Sequence, residues 1–379
     1  MAATGAFAQS SVTISGVLDA GYRNVSATGT ATDTKGGFQN GTATSAIFIK
    51  GTEDLGSGLK AEFQYEINPD FVGGSGFSGN VLQNTSATDL GAAGNTNSVR
   101  TSNGANGNNF VGVSSAALGG VKVGRLNTGS LSAWQTGSVF GTALGSGYAT
   151  NGNMYTVGSS TVSNFNQTAP TRFNGSVEYT TPSFSGFTAR ALYVPKVDAT
   201  DGQNNATVAT VAGVNRAQVT DLGAFYSNGP LNVALTQQQH KFGATAVNGL
   251  VTPGASTNAV NGDYKLTTLA ANYAFGPAKL HAAYWTEKQN ANAIDAKAYM
   301  LGAKYTLGAI DLMASYAKRD DKLVANADRK ILGLGADYNL SKRTALWARY
   351  ESKAPNTNAS GTNTTDATKT TAVGIRHSF

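Results

Sequence analysis

Along most of this chain polar and apolar residues alternate with a period of two. Between Leu59 and Asn68, Lys60, Glu62, Gln64, Glu66 and Asn68 share one face, and Leu59, Ala61, Phe63, Tyr65 and Ile67 share the other. Over 172–180, Arg172, Asn174, Ser176, Glu178 and Thr180 oppose Phe173, Gly175, Val177 and Tyr179. Over 297–305, Tyr299, Leu301, Ala303 and Tyr305 oppose Ala298, Met300, Gly302 and Lys304. A helix would space its apolar residues three and four apart, so these segments are strands. Sixteen of them are predicted, near 11–23, 45–53, 58–68, 109–118, 121–126, 172–181, 187–196, 217–226, 231–242, 264–275, 278–289, 296–307, 310–319, 329–340, 343–353 and 370–379. Most have the length that a tilted strand needs to cross a bilayer.

The connections alternate between short and long. Short turns fall at 54–57, 119–120, 182–186, 227–230, 276–277, 308–309 and 341–342, and longer loops at 24–44, 69–108, 127–171, 197–216, 243–263, 290–295, 320–328 and 354–369. All tight turns, and both termini, therefore lie on one side. All eight prolines sit in loops, in turns or at a strand end, since proline removes a ladder hydrogen bond. The last strand runs to the final residue, with Phe379, His377, Ile375, Val373 and Thr371 on one face. A chain that ends in a strand can pair it with the first and close a barrel, which removes the unpaired edges that hydrocarbon does not tolerate.

Charge decides which barrel this is. Aromatics such as Tyr22, Phe63, Phe173, Tyr179, Tyr284, Tyr316 and Phe379 fall on the apolar phase. The other phase carries Asp19, Lys50, Lys60, Glu62, Glu66, Lys122, Arg172, Glu178, Arg190, Asp221, Lys304, Asp311, Asp337, Arg349, Glu351 and Arg376. That is too many charges of both signs for the packed core of a soluble sandwich, so water is expected inside. Sixteen strands enclose a lumen too wide for side chains to fill. The fold expected is all-β, a 16-stranded antiparallel transmembrane β-barrel with its third external loop folded inward. That loop, 127–171, has 45 residues and no charged residue or histidine, but carries Trp134, Phe140, Tyr148, Tyr155 and Phe165. Such a segment is expected to pack on the wall as a constriction.

Composition narrows the chemistry. The net charge is +6, but the basic residues are scattered, which gives no nucleic-acid patch. Cysteine is absent, and His240, His281 and His377 are far apart in strand order. No metal, cofactor or catalytic residue is expected, and an outer-membrane hydrolase is disfavoured. Ala6-Phe7-Ala8 fits a signal-peptidase site, so 1–8 are read as the tail of an export leader and 9–379 as a single barrel domain.

Several stretches resemble the trimeric general porins of Gram-negative bacteria, of the betaproteobacterial (Neisseria, Comamonas, Burkholderia) type. They are Ser11-Val-Thr-Ile-Ser-Gly-Val-Leu-Asp19, Lys50-Gly-Thr-Glu-Asp-Leu-Gly-Ser-Gly-Leu-Lys-Ala61, Val121-Lys-Val-Gly-Arg125, Tyr299-Met-Leu-Gly-Ala303, Asn339-Leu-Ser-Lys-Arg-Thr-Ala345 and Val373-Gly-Ile-Arg-His-Ser-Phe379. The resemblance implies an outer-membrane location, a homotrimer, contact with outer-membrane lipid, and Phe379 as the signal read by the barrel-assembly machinery. It implies passive diffusion of small hydrophilic solutes and inorganic ions. Lys50, Lys122 and Arg125 match the family's basic side of the constriction, and Arg172 stands where the loop rejoins the wall. Ala46 and Asn109 stand where the family commonly has basic residues, and the neutral loop lacks the usual acids. A weak anion preference is expected. The alternative is a substrate-specific channel in which the loop's aromatic rings stack on a solute. Adhesion through the long loops could accompany either.

Overall fold

In the computed structural model, the described residues are 11–28, 34–42, 44–70, 72, 76–77, 107–148, 172–195, 218–241, 263–289, 294–322, 328–357, 363–365 and 367–379. Residues 1–8, expected from the sequence to be a leader tail, lie outside them, as do most residues of the long loops.

Sixteen antiparallel strands close into a barrel. They are β1 Ser11–Ala27, β2 Ala46–Gly56, β3 Leu59–Ile67, β4 Asn109–Ser115, β5 Gly119–Asn127, β6 Arg172–Thr180, β7 Phe187–Val194 and β8 Gln218–Asn228. The rest are β9 Leu231–Lys241, β10 Tyr264–Phe275, β11 Ala278–Gln289, β12 Ile294–Leu307, β13 Ile310–Asp321, β14 Arg329–Asn339, β15 Thr344–Lys353 and β16 Thr368–Ser378. Each strand pairs with the next in the chain, and β16 pairs with β1 from Val17↔Ser378 to Ala27↔Thr368. Closure reaches the last residue: the N–H groups of Gly16 and Phe379 each donate to the other's carbonyl at 3.0 Å.

Two connections differ from the expected pattern. The stretch predicted as loop 24–44 contains a strand, Thr34–Asn40, which pairs with the upper half of β1 on the edge where β2 holds the lower half. The second barrel strand is therefore long and interrupted. Asp19 explains the interruption. Its carbonyl accepts from Gly41 N–H at 2.6 Å and from the Ser45 hydroxyl at 3.3 Å, and its N–H donates to Ser45 Oγ at 3.0 Å. A local polar cluster thus replaces the ladder around Asp19. The second difference is the β4–β5 turn, which falls at 116–118 rather than 119–120. Gly119 opens β5 in the left-handed region, at φ +82°, where a side chain would be strained.

The two faces separate as the period of two requires. Tyr22, Phe63, Tyr179, Tyr284, Tyr299, Tyr316 and Tyr338 are exposed, while Asp19, Glu178, Asp221, Asp337, Arg349 and Glu351 are buried. Rings outside and charges inside are the layout of a membrane barrel with a polar interior. Phe173 is an exception to the predicted phase. The β5–β6 register shifts between Gly124 and Leu126, and Gly175 lies at φ +62°. The bulge turns Phe173 inward, against Leu126, Leu192, Val194 and Val219.

Gly16 seats the terminal ring. A Cβ there would lie 2.6 Å from Phe379 Cζ and 2.7 Å from the Ala46 carbonyl oxygen. Gly16→Val is therefore expected to destabilise the seam by about 1–3 kcal/mol, read as a lower urea midpoint of the detergent-folded barrel. An unchanged midpoint would show that the seam tolerates the displaced ring.

Candidate functional site

The candidate region forms where 127–148 meets the charged face of the wall. Helix α1, Gly129–Gly137, contacts β7 to β12 and was not apparent in the sequence of this loop. Its apolar side joins a core of wall residues. Trp134 is fully buried, with its ring 5.3 Å from those of Trp285 and Tyr148, and Leu131 packs in the same cluster with Leu266, Ala270 and Met300. The face that carries the charges thus also carries a dry core beneath the loop. Small residues admit the close approach: a Cβ on Gly137 would lie 2.5 Å from Ala283 Cβ, and one on Gly335 would lie 2.6 Å from the Phe140 ring.

The loop has no charge of its own, and the wall supplies two. Helix α1 has no acidic residue in its first turn. Thr128 caps it by accepting from Leu131 N–H at 3.0 Å, and Asp221 of β8 completes the cap. Its carboxylate accepts from Gly129 N–H at 2.7 Å, Ser130 N–H at 3.2 Å, the Ser130 hydroxyl at 2.5 Å and the Gln238 amide at 3.1 Å. A carboxylate at a helix N-terminus satisfies orphan N–H groups and opposes the helix dipole. At the far end, Glu351 of β15 accepts from Gly145 N–H at 2.8 Å and Gly147 N–H at 3.1 Å, and the Ser315 hydroxyl donates to Gly145 O at 2.8 Å. Between these points Asn272 and His281 donate to Thr136 O, at 2.9 and 3.0 Å. Leu144 N–H donates to Thr42 O at 3.2 Å, which ties the loop to the interruption beside Asp19.

Cations frame the same segment. Arg190 pairs with Glu178 and donates to Ser132 Oγ at 2.9 Å and to Asn127 O at 3.0 Å. Arg349 lies over the Phe140 ring, 5.5 Å from its centroid, and pairs with Asp337 at 2.6 Å. Arg319 and Glu287 form a buried pair at 3.2 Å.

The residues predicted for the constriction separate into groups. Trp134, Phe140 and Tyr148 are buried against the wall, so their faces are filled by protein; Tyr155 lies outside the described residues. Burial holds the Tyr148 phenol above the ordinary tyrosine range, and the Arg172 charge opposes that shift. Arg172 donates to Asn127 Oδ1 at 2.8 Å across the strands that flank the loop. Lys122 pairs with Glu62 at 3.7 Å and lies over Phe110, while Lys50 is exposed beside Phe48. Arg125 is out of phase with Lys122 at the bulge and donates to Asn174 Oδ1 at 2.6 Å, so these two do not form one basic cluster. Asp221 and Glu351 were visible in the sequence only as interior charges. What exposes their role is the partner set, which comes from residues about ninety and two hundred positions away.

Comparison with known proteins agrees with this geometry. A family model described as Gram-negative porin matches residues 1–377. Outer membrane porin protein 32 of Delftia acidovorans is 31% identical, over 100% of this chain and 97% of that protein. The major outer membrane protein P.IB of Neisseria lactamica is 28% identical, over 100% and 97%. The solved anion-selective porin from Comamonas acidovorans superposes with a TM-score of 0.69 at 25% identity, covering 98% of this chain and 100% of that one.

Proposed function

This chain belongs to the Gram-negative porin family and is a general porin of the outer membrane; on that premise we propose that it passes small hydrophilic solutes and inorganic ions by passive diffusion, with a weak preference for anions, through a lumen narrowed by 127–171. The observation that carries the anion preference is unequal burial. Among the described residues seven carboxylates are buried (Asp19, Glu66, Glu178, Asp221, Glu287, Asp337 and Glu351), against two guanidinium groups, Arg319 and Arg349. Several of these acids are occupied by backbone N–H groups or arginines, as described above. In the Lys122–Glu62, Arg190–Glu178, Lys304–Asp311 and Arg376–Asp337 pairs the base is the more exposed partner; Arg349–Asp337 and Arg319–Asp321 run the other way. Long basic side chains keep their heads in water while short carboxylates remain at the wall. The sixteen interior charges balance in sequence, but the surface that a passing ion meets is mostly basic: seven of the eight bases escape burial, against only Glu62 and Asp311 of the acids. Lys279 and Lys304, opposite each other near the turn side, extend it. An ion of either sign keeps most of its hydration and is biased by rings of charge.

A reversal potential across a planar bilayer in a potassium chloride gradient tests this reading. Anion selectivity is expected, and Lys50→Gln with Lys122→Gln should reduce the anion-to-cation permeability ratio by about twofold to threefold. Cation selectivity of the wild type would discard the reading. The solute-specific alternative loses support because the three described rings of the loop are occupied by wall packing.

Diffusion requires no catalytic group, and the histidines have structural partners. His240 lies between Phe173 and Tyr264, and His377 contacts Thr344 Oγ1 at 2.9 Å. The homotrimer belongs to the same proposal. Ala20 and Ala348 line an apolar outer groove of about 870 Å³ with Gly21 and Gly374, whereas Gly16 and Gly51 are covered by the chain's own Phe379 and Phe63. Phe379, with its ring partly exposed at the seam, is proposed as the assembly signal.

A further inference from the structure

Four basic side chains of the barrel interior lie over phenylalanine rings, and position divides them into two sets. Arg190 over Phe225 and Arg349 over Phe140 lie at the docked loop, where both guanidinium groups have protein partners. Lys50 over Phe48, 5.0 Å from the ring centroid, and Lys122 over Phe110, at 4.4 Å, lie on β2, β4 and β5. Strands β2 to β4 are eight places around the barrel from β10 to β12, which contact helix α1, so this wall faces the loop across the lumen.

Register gathers the two lysines and two rings on one patch. Lys50 is opposite Gln64, and Gln64 is opposite Phe110. Glu62, Gly112 and Lys122 form the next interior row towards the turns, and Phe48 with Glu66 the next towards the long loops. Strand spacing puts the Lys50 and Phe110 backbones about 10 Å apart, which leaves width for one aryl ring between their side chains. Gln64, which lies between them, is drawn aside: its amide donates to Asn108 O at 2.8 Å. Both rings are half-buried, Phe110 with one side on the Leu126 and Phe173 cluster, so each still shows apolar area to the lumen.

The carboxylates of the patch have partners. Glu66 is buried and accepts from Asn108 N–H at 2.7 Å and the Asn68 amide at 3.1 Å, and Glu62 lies 3.7 Å from Lys122 Nζ. Among the described residues no carboxylate is within ion-pair distance of Lys50. Across the lumen α1 exposes Gln135, and 127–171 carries no charge, so the loop does not repel an anion. A hydrated inorganic anion pairs with the ammonium groups and gains nothing from the rings. An aromatic carboxylate gains from both. Each ammonium lies at a ring rather than beyond it, so a carboxylate paired with Lys50 brings its own ring against Phe48.

We propose that Phe48, Lys50, Phe110 and Lys122 form a wall site for aromatic carboxylates, the benzoate class of solute, and that the channel takes these up ahead of aliphatic anions of equal charge. The inference rests on the diffusion reading above and names the solutes that it favours. Contact with one open wall leaves the solute free to depart, as passage requires.

The test is single-channel recording of the wild-type barrel in potassium chloride with benzoate, cyclohexanecarboxylate or benzyl alcohol added. Benzoate is expected to reduce the current with saturation, at about threefold lower concentration than cyclohexanecarboxylate, which has the same charge and similar volume but no π face. Benzyl alcohol, a ring without charge, should need about tenfold more than benzoate. Phe48→Leu with Phe110→Leu should bring benzoate to the cyclohexanecarboxylate level and leave cyclohexanecarboxylate unchanged. Lys50→Gln with Lys122→Gln should weaken both carboxylates about tenfold and leave benzyl alcohol unchanged. Equal block by benzoate and cyclohexanecarboxylate in the wild type, or none by either, would overturn the proposal, and that comparison needs no variant to fold. A benzoate preference that survives in the double leucine variant, with unaltered potassium chloride conductance, would overturn it too, because the rings responsible would lie elsewhere. Equal block in a channel that still proves anion-selective removes the aryl site alone, whereas cation selectivity removes the channel reading beneath it.

Discussion

Replacing Asp221 and Glu351 together by alanine is expected to free the loop from the wall and raise single-channel conductance, with added open-channel noise. The two carboxylates receive the Gly129, Ser130, Gly145 and Gly147 N–H groups, which have no charged partner within their own segment. Losing the acceptor for a buried donor costs about 1–3 kcal/mol, and more when the acceptor is charged. The anchors grip opposite ends of 129–147, so each single variant should loosen one end, and only the double variant should release both. The loop offers trypsin no site because it contains no lysine or arginine, but chymotrypsin can cut at Trp134, Phe140 and Tyr148. Rapid chymotryptic cleavage of the folded double variant, with the wild type resistant, is the expected companion result. Wild-type conductance together with wild-type resistance would show that apolar packing alone holds the loop.

Trp134→Ala is expected to give the largest loss of loop docking from a single change. The indole is fully buried, contacts Trp285 and Tyr148, and donates from Nε1 to Gly141 O at 2.8 Å. Removing a buried tryptophan costs about 3–5 kcal/mol. Here the cost falls on the docked loop, because the strand ladders stay paired without it. Hydrogen exchange should therefore quicken across 129–148, while strands β13 to β16 keep their protection. Uniform acceleration around the barrel would show instead that this core supports the wall itself. Trp134→Phe, which keeps most of the apolar contact and loses the hydrogen bond, should lie between the two.

The outline of the barrel was legible because its cause is local. Leu59–Asn68 alternates as a strand with one wet and one greasy face must, and Thr371–Phe379 does so up to the last residue. Where alternation was interrupted, reading failed. Phe173 was assigned to the lipid face because strict alternation was carried through Gly175, where β6 bulges by one residue against Gly124–Leu126. Thr34–Asn40 was passed over as loop because its residues, TKGGFQN, have little apolar alternation; the strand is held by pairing with β1. Helix α1 was missed for a related reason. Its sequence, GSLSAWQTG, is a poor helix former, and its N-terminal donors are satisfied by Asp221, some ninety residues later in the chain.

The sequence alone determined the strand count, the closed membrane barrel, the side on which the turns lie and the family, because these follow from periodicity, loop length and short motifs read along the chain. The tertiary structure alone decided what each interior charge does. Asp221, Glu351 and Lys50 look equivalent as residues on one phase of a strand. They part only when the neutral loop presents its N–H groups to the first two and leaves the third in water. Burial and hydrogen-bond partnership are properties of what lies across the lumen, and contacts between positions so far apart in the chain leave no periodic trace in it.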